Sequence, residues 1–132
     1  MPSGSIETER HRGAIGLLLV ALLATLGGCD DSLVVCPAIA VAGLDVQVLN
    51  NTTSQPICDA TVTAVEGTIS ERLVANACRY QGAFERPGTY TVRAESVGFA
   101  PLELSGVRVL MNTEACPHVE TVIVILRLLP RP

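Results

Sequence analysis

From Gly43 onward, apolar side chains recur at every second residue, and that period decides the class of fold. Leu44, Val46 and Val48 alternate with Asp45 and Gln47. Successive side chains of a strand point to opposite faces, so this pattern marks a strand with one buried and one wet face. Residues 50–56 (NNTTSQP) read as a loop. Residues 57–66 resume the alternation, with Cys58, Ala60, Val62 and Ala64 on one face and Asp59, Thr61 and Thr63 on the other, until Gly67 breaks it. Residues 73–80 form a third, less regular strand, and residues 82–86 a short fourth. Residues 89–95 are the clearest, with Tyr90, Val92 and Ala94 on one side. Residues 102–110 make the sixth, with a bulge expected at Gly106. Residues 119–128 are the seventh. Its middle is apolar on both faces, which suits a strand near a sheet centre or one sealed by a loop. Seven short strands with regular turn signals and no strong helix predict an all-β, seven-stranded antiparallel or mixed β-sandwich over residues 43–130.

Composition limits what fills that sandwich and what it binds. Only 3% of residues are aromatic and there is no Trp, so the core must come mainly from Val, Leu, Ile and Ala. These bury less area per residue than aromatics, which raises the need for cross-links. The formal net charge is −4, every basic residue is Arg, and no basic cluster occurs beyond the N-terminus. A mildly acidic domain of this kind argues against nucleic acid as a partner.

The N-terminus has its own organisation. Residues 1–13 are polar and end in Arg10, His11 and Arg12, although Glu7 and Glu9 dilute the charge; residues 14–26 (AIGLLLVALLATL) are wholly apolar apart from Thr25; Gly27 and Gly28 follow. That order matches a secretory signal, with a basic start, an apolar stretch of about 7–15 residues and small residues at the cut. A retained transmembrane helix needs roughly 20 apolar residues, and here Asp30 and Asp31 intervene too soon. Leu26-Gly27-Gly28-Cys29 resembles the lipobox of bacterial lipoproteins. The resemblance implies cleavage after a signal peptide at residues 1–28 and a diacylglyceryl thioether on Cys29. Residues 29–42 then serve as the lipidated cysteine and a short tether. Two or more acyl chains give stable anchoring, so the membrane is an expected partner, at the periplasmic or outer surface of a bacterial cell. Asp30 is a residue that in some of these lipoproteins favours the inner membrane, and it leaves the choice of membrane open.

Four cysteines remain beyond the anchor, Cys36, Cys58, Cys78 and Cys116. An even number in a small exported domain reads as two disulfides, with three connectivities available. Each bridge is expected to stabilise the fold by about 3–4 kcal/mol in the chain-entropy picture. A zinc site would need ligand pairs two to four residues apart, whereas the spacings here are 22, 20 and 38. Nothing in the sequence points to a metal or any other cofactor.

Three segments carry a second resemblance. Gln55-Pro56-Ile57 leading to Ala60-Thr61-Val62, Gly88-Thr89-Tyr90-Thr91-Val92, and Gly98-Phe99-Ala100-Pro101 are similar to the carboxypeptidase regulatory-like family. That family implies a seven-stranded, prealbumin-type sandwich. Most of its members lack the four cysteines. On residue chemistry alone, Pro87-Gly88 fits a type II turn with positive φ at the glycine, and Tyr90 places its ring inside with its hydroxyl at the rim. In this arrangement Cys58 opens the second strand and Cys78 closes the third, so a hairpin favours Cys58–Cys78. If first and last strands run side by side in parallel, as in Ig-like sandwiches, Cys36 and Cys116 meet as well. A bridge needs Cα atoms within about 7 Å.

Three functions are weighed. The first is a non-enzymatic binding or scaffolding module, with an envelope protein or polymer as partner. The second is a carbohydrate-binding module, which needs exposed aromatics from the set Tyr80, Phe84, Tyr90 and Phe99. Tyr90 and Phe84 are expected in the core, leaving Tyr80 with Phe99 as the platform. The third is a hydrolase. Transthyretin-like hydroxyisourate hydrolases share a related sandwich but use paired histidines, an arginine and a Tyr-Arg-Gly-Ser ending, where this sequence reads Leu-Pro-Arg-Pro. Beyond the leader there is one histidine, His118, two residues from Cys116; Glu114 and Glu120 flank it. A thiol–imidazole pair there requires Cys116 to be reduced.

Overall fold

The computed structural model describes residues 33–132; the expected leader, the expected acylation site Cys29 and Asp30 lie outside the described residues. The alternating segments form β1 (Leu44–Asn50), β2 (Thr61–Glu66), β3 (Ile69–Arg72), β4 (Val74–Asn76), β5 (Arg79–Gly82), β6 (Gly88–Glu95), β7 (Leu102–Val109) and β8 (Val122–Leu128). They make two four-stranded sheets, ordered β4-β5-β1-β8 and β3-β2-β6-β7, packed as a β-sandwich with no helix among the described residues. The alternation sorts the side chains as expected: Leu44, Val46 and Val48 from β1, Val62 and Ala64 from β2, and Tyr90, Val92 and Ala94 from β6 are all buried. Burying each Val or Leu contributes about 1.5–3 kcal/mol. Tyr80 and Tyr90 are the largest side chains fully inside, so two of the four aromatics do sit in the aliphatic core. Val62 is the residue of β2 whose burial starts a clean period; Cys58, expected on the same face, is exposed because the chain bends at Cys58 and Asp59 before β2 begins, and Ile57 is buried instead.

There are eight strands rather than seven, because one run serves both sheets. Residues 69–72 pair with β2, and residues 74–76 then pair with β5 in the other sheet. Leu73 is the crossing point; it is buried, and its N–H donates to the Val62 carbonyl at 2.9 Å. The expected third strand over 73–80 therefore folds back on itself, as β4, a two-residue turn and β5. Ala77 and Cys78 form the turn with φ of 46° and 63°. A type I′ hairpin turn needs positive φ at both central residues and usually takes Asn-Gly or Gly-Gly, so Ala-Cys gives no local signal for it.

The expected fourth strand over 82–86 does not form. Ala83 and Glu85 adopt φ of 52° and 51°, which breaks the pleat after β5. Gly88 is not at positive φ; it begins β6, paired with Val109. An added Cβ there would come within 1.9 Å of the Glu66 carboxylate, the free end of a flexible side chain that must swing aside, so Gly88 serves neither the expected turn nor a rigid close approach. The bulge falls where expected: the β6–β7 register shifts between Tyr90 and Val92, and Gly106 has φ of 77°. β8 is an edge strand rather than a central one, and lies parallel to β1 from Leu44↔Val122 to Asn50↔Leu128.

The two bridges join Cys36 to Cys116, with Cα atoms 5.4 Å apart, and Cys58 to Cys78, 4.3 Å apart. The parallel β1–β8 pair brings the first two together, as anticipated. The second bridge forms for a different reason from the hairpin expected. β2 pairs with β3 and β6, while Cys78 sits in the β4–β5 turn of the opposite sheet, so Cys58–Cys78 links the two sheets at one end.

Candidate functional site

The chain's chemistry gathers at the two ends of the sandwich, which the seven residues of β1 separate by about 20 Å. At the start of β1, the left-handed turn at Glu85 aims its carboxylate at two other segments, residue 41 and residues 118–119. Glu85 Oε1 accepts from the Val41 N–H at 2.7 Å and lies 2.7 Å from His118 Nδ1; Oε2 accepts from the Val119 N–H at 3.4 Å. The Val41 N–H, foremost, and then His118 hold the Glu85 carboxyl below its ordinary range. Glu85 had no role in the sequence reading, and no local signal marks it, since its partners lie 33 and 44 residues away. Cys36–Cys116 lies in the segments leading to this same end. Residues 33–40 are all exposed and outside any strand. The bridge therefore fastens an arm to the β7–β8 loop rather than pinning the core.

This geometry disposes of one catalytic arrangement. The Cys116 sulfur is bonded to Cys36, so it is no nucleophile for His118, whose ring faces Glu85 instead. Glu114 and Glu120 do not join His118 in a cluster, and among the described residues no group of three acidic, histidine or cysteine side chains could hold a metal ion.

The other end is built by the loops after β1 and β6. Phe99, half-buried, lies between two shallow open depressions. One, of about 390 Å³, is lined by Asp59, Thr61, Glu95, Ser96 and Arg131 besides Phe99. The second, of about 490 Å³, adds Asn50, Gln55 and Pro56. The Ser96 hydroxyl donates to Asp59 at 3.3 Å, and Gly98 accepts from the Arg131 N–H at 2.8 Å, which holds the rim together. The result is one aromatic face among carboxylates, amides and a guanidinium. Such a surface offers apolar contact and hydrogen bonds to a polar partner, and no nucleophile–base pair.

The aromatic platform expected from Tyr80 and Phe99 is not present. Tyr80 is 1% exposed, because its hydroxyl accepts from the Ala60 N–H and donates to the Ile57 carbonyl, both at 2.9 Å. Phe84, expected in the core, is 43% exposed. It lies in the turn at the opposite end from Phe99, so the two rings cannot act on one ligand. Tyr90 is buried as expected, and its hydroxyl donates to the Arg86 carbonyl at 2.9 Å. The chain matches no protein-family model and no curated protein.

Proposed function

We propose that the chain is a non-enzymatic envelope lipoprotein whose β-sandwich is a binding or scaffolding module held at a bacterial membrane by acylated Cys29. Its likeness to carboxypeptidase regulatory-like domains belongs to the same proposal. The observation that carries it is the pair of disulfides in a domain that follows a lipobox-like Leu26-Gly27-Gly28-Cys29. Disulfides of this kind persist in oxidising compartments and are rare in the cytosol, which is where a secretory leader would deliver the chain out of. Cys36 follows Cys29 by seven residues, a reach of about 23–25 Å when fully extended. An anchored chain would therefore keep the Glu85–His118 end near the lipid and present the Phe99 end outward, to an envelope protein or polymer.

A glycan is the second reading, favoured by the Asn50, Gln55 and Asp59 side chains around Phe99. A lone, half-buried ring ranks it behind a protein partner.

Mass spectrometry of the protein from isolated membranes tests the anchor. The expected product begins at Cys29 and carries acyl chains, and Cys29→Ser moves it to the soluble fraction. An unmodified chain beginning at Met1 with reduced thiols overturns the reading. For the outward face, Phe99→Ala should abolish capture of the envelope partner; loss of glycan-column retention with no protein partner would favour the sugar reading.

A further inference from the structure

Between Asp31 and Asp45 the chain carries no charged side chain. Within that stretch Val34, Val35 and Ile39 are exposed, Val35 at 87% and Ile39 at 64%, and no strand takes them up. Single apolar side chains are ordinary on a surface, whereas a run of them marks contact with a protein or a membrane. The run is also held in place. Cys36 is bonded to Cys116, and Val41 exchanges two bonds with Glu85: its N–H donates to the carboxylate at 2.7 Å, and its carbonyl accepts from the Glu85 N–H at 3.0 Å. Phe84, Leu110 and Met111, in the two segments to which the arm is fastened, are exposed as well.

We infer that the arm at residues 34–40 is a second membrane contact, in which Val34, Val35 and Ile39 rest their side chains in the interface of a neutral bilayer beside the acyl chains of Cys29. The inference rests on the anchored reading proposed above. Chain length selects lipid as the occupant. Five residues carry the chain from Cys29 to Val34, a reach of at most about 17–18 Å, so an acylated Cys29 keeps the arm at the bilayer surface.

Backbone bonding sets the depth. Among the described residues the arm's backbone makes one bond, from the Ile39 N–H to the Pro37 carbonyl at 2.9 Å. Unpaired irregular backbone does not enter lipid-exposed hydrocarbon. It stays at headgroup level, where water satisfies it, and only the side chains reach the acyl boundary, as in other interfacial segments. Charge sets the kind of headgroup. The loop that holds Cys116 exposes Glu114 and Glu120, and its only basic group is His118, which faces Glu85. Attraction to anionic lipid therefore contributes nothing, and apolar burial carries the contact.

The chain has no Trp, so a single introduced one reports its own surroundings. Val35→Trp and Ile39→Trp place it on the arm; Val97→Trp places it at a position 95% exposed beside Phe99, at the far end. Each protein, purified from membranes, is reconstituted in phosphatidylcholine vesicles with and without brominated acyl chains. The bromines should quench the two arm reporters several-fold and leave the Val97→Trp emission unchanged. Adding Ile39→Asp to the Val35→Trp protein should remove most of that quenching with an unchanged circular dichroism spectrum, which separates the pull of the native side chains from that of the reporter. Mass spectrometry of the same samples keeps the two readings apart. Unquenched arm reporters on an acylated chain overturn the arm contact and leave the anchor standing; unquenched reporters on a chain without acyl groups overturn both; quenched reporters on a chain without acyl groups uphold the arm alone. Blue-shifted but unquenched emission, the mark of an arm covered by protein, overturns the inference, as does quenching indifferent to Ile39→Asp.

Discussion

Single residues hold this sandwich at points the pleat cannot reach. Tyr80 satisfies one donor and one acceptor of the chain before β2, in a site sealed from water. Tyr80→Phe leaves both unpaired, and a buried unsatisfied group costs about 1–3 kcal/mol; denaturant unfolding should show a loss of at least that size. Ala77 occupies a left-handed conformation that costs a non-glycine residue roughly 1 kcal/mol or more. Ala77→Gly should therefore raise the melting temperature by a few degrees despite removing a methyl group. Glu85 sets an acid limit. Its folded carboxyl titrates below the unfolded one, so its stabilisation is complete above the ordinary glutamate range near pH ~4.3 and is lost as pH falls through the lowered folded value. Unfolding measured against pH should be steeper below about pH 4 in the native chain than in Glu85→Gln.

At the scale of elements, the two disulfides do different work. Cys58–Cys78 links the sheets and also clamps the strained Ala77-Cys78 turn. Replacing both by Ser should lower stability by about 2–4 kcal/mol, seen as a reduced denaturant midpoint. Cys36–Cys116 holds an exposed arm to a loop. Its removal should leave the β-sheet spectrum intact while elastase cuts within residues 33–40, which the bridged protein resists; exposed, weakly bonded segments are where nicking concentrates. β1, β6 and the Gly106 bulge were legible in the sequence because their pattern is local. The β3–β4 switch was not, since Leu73 changes sheets through contacts with Val62 and β5 that no neighbouring residue announces. The turns at Ala77-Cys78 and at Ala83 and Glu85 were missed because they lack the glycines or asparagines that mark such turns.

For the molecule as a whole, the two ends of the sandwich divide the labour. The arm enters beside Glu85 and His118, and the Phe99 depressions lie about 20 Å away along β1; β8 runs between them, its two ends hydrogen-bonded to the segments that flank β7. The candidate site itself was only partly readable. Phe99 was marked as a turn aromatic, but its neighbours Asn50, Asp59, Glu95 and Arg131 come from loops far apart in sequence.

The sequence alone determined the all-β class, the inward faces of β1, β2 and β6, the bulge glycine and the leader-like N-terminus. Each of these follows from side-chain spacing or from residue types within a few positions, which the backbone's two-residue repeat turns directly into a face. Tertiary structure alone decided that β8 is an edge, that Cys58 reaches across the sheets, that Tyr80 is sealed in the core and that Glu85 ties three segments together. Those facts depend on which strands become neighbours, and neighbours are chosen by the burial of the whole chain at once.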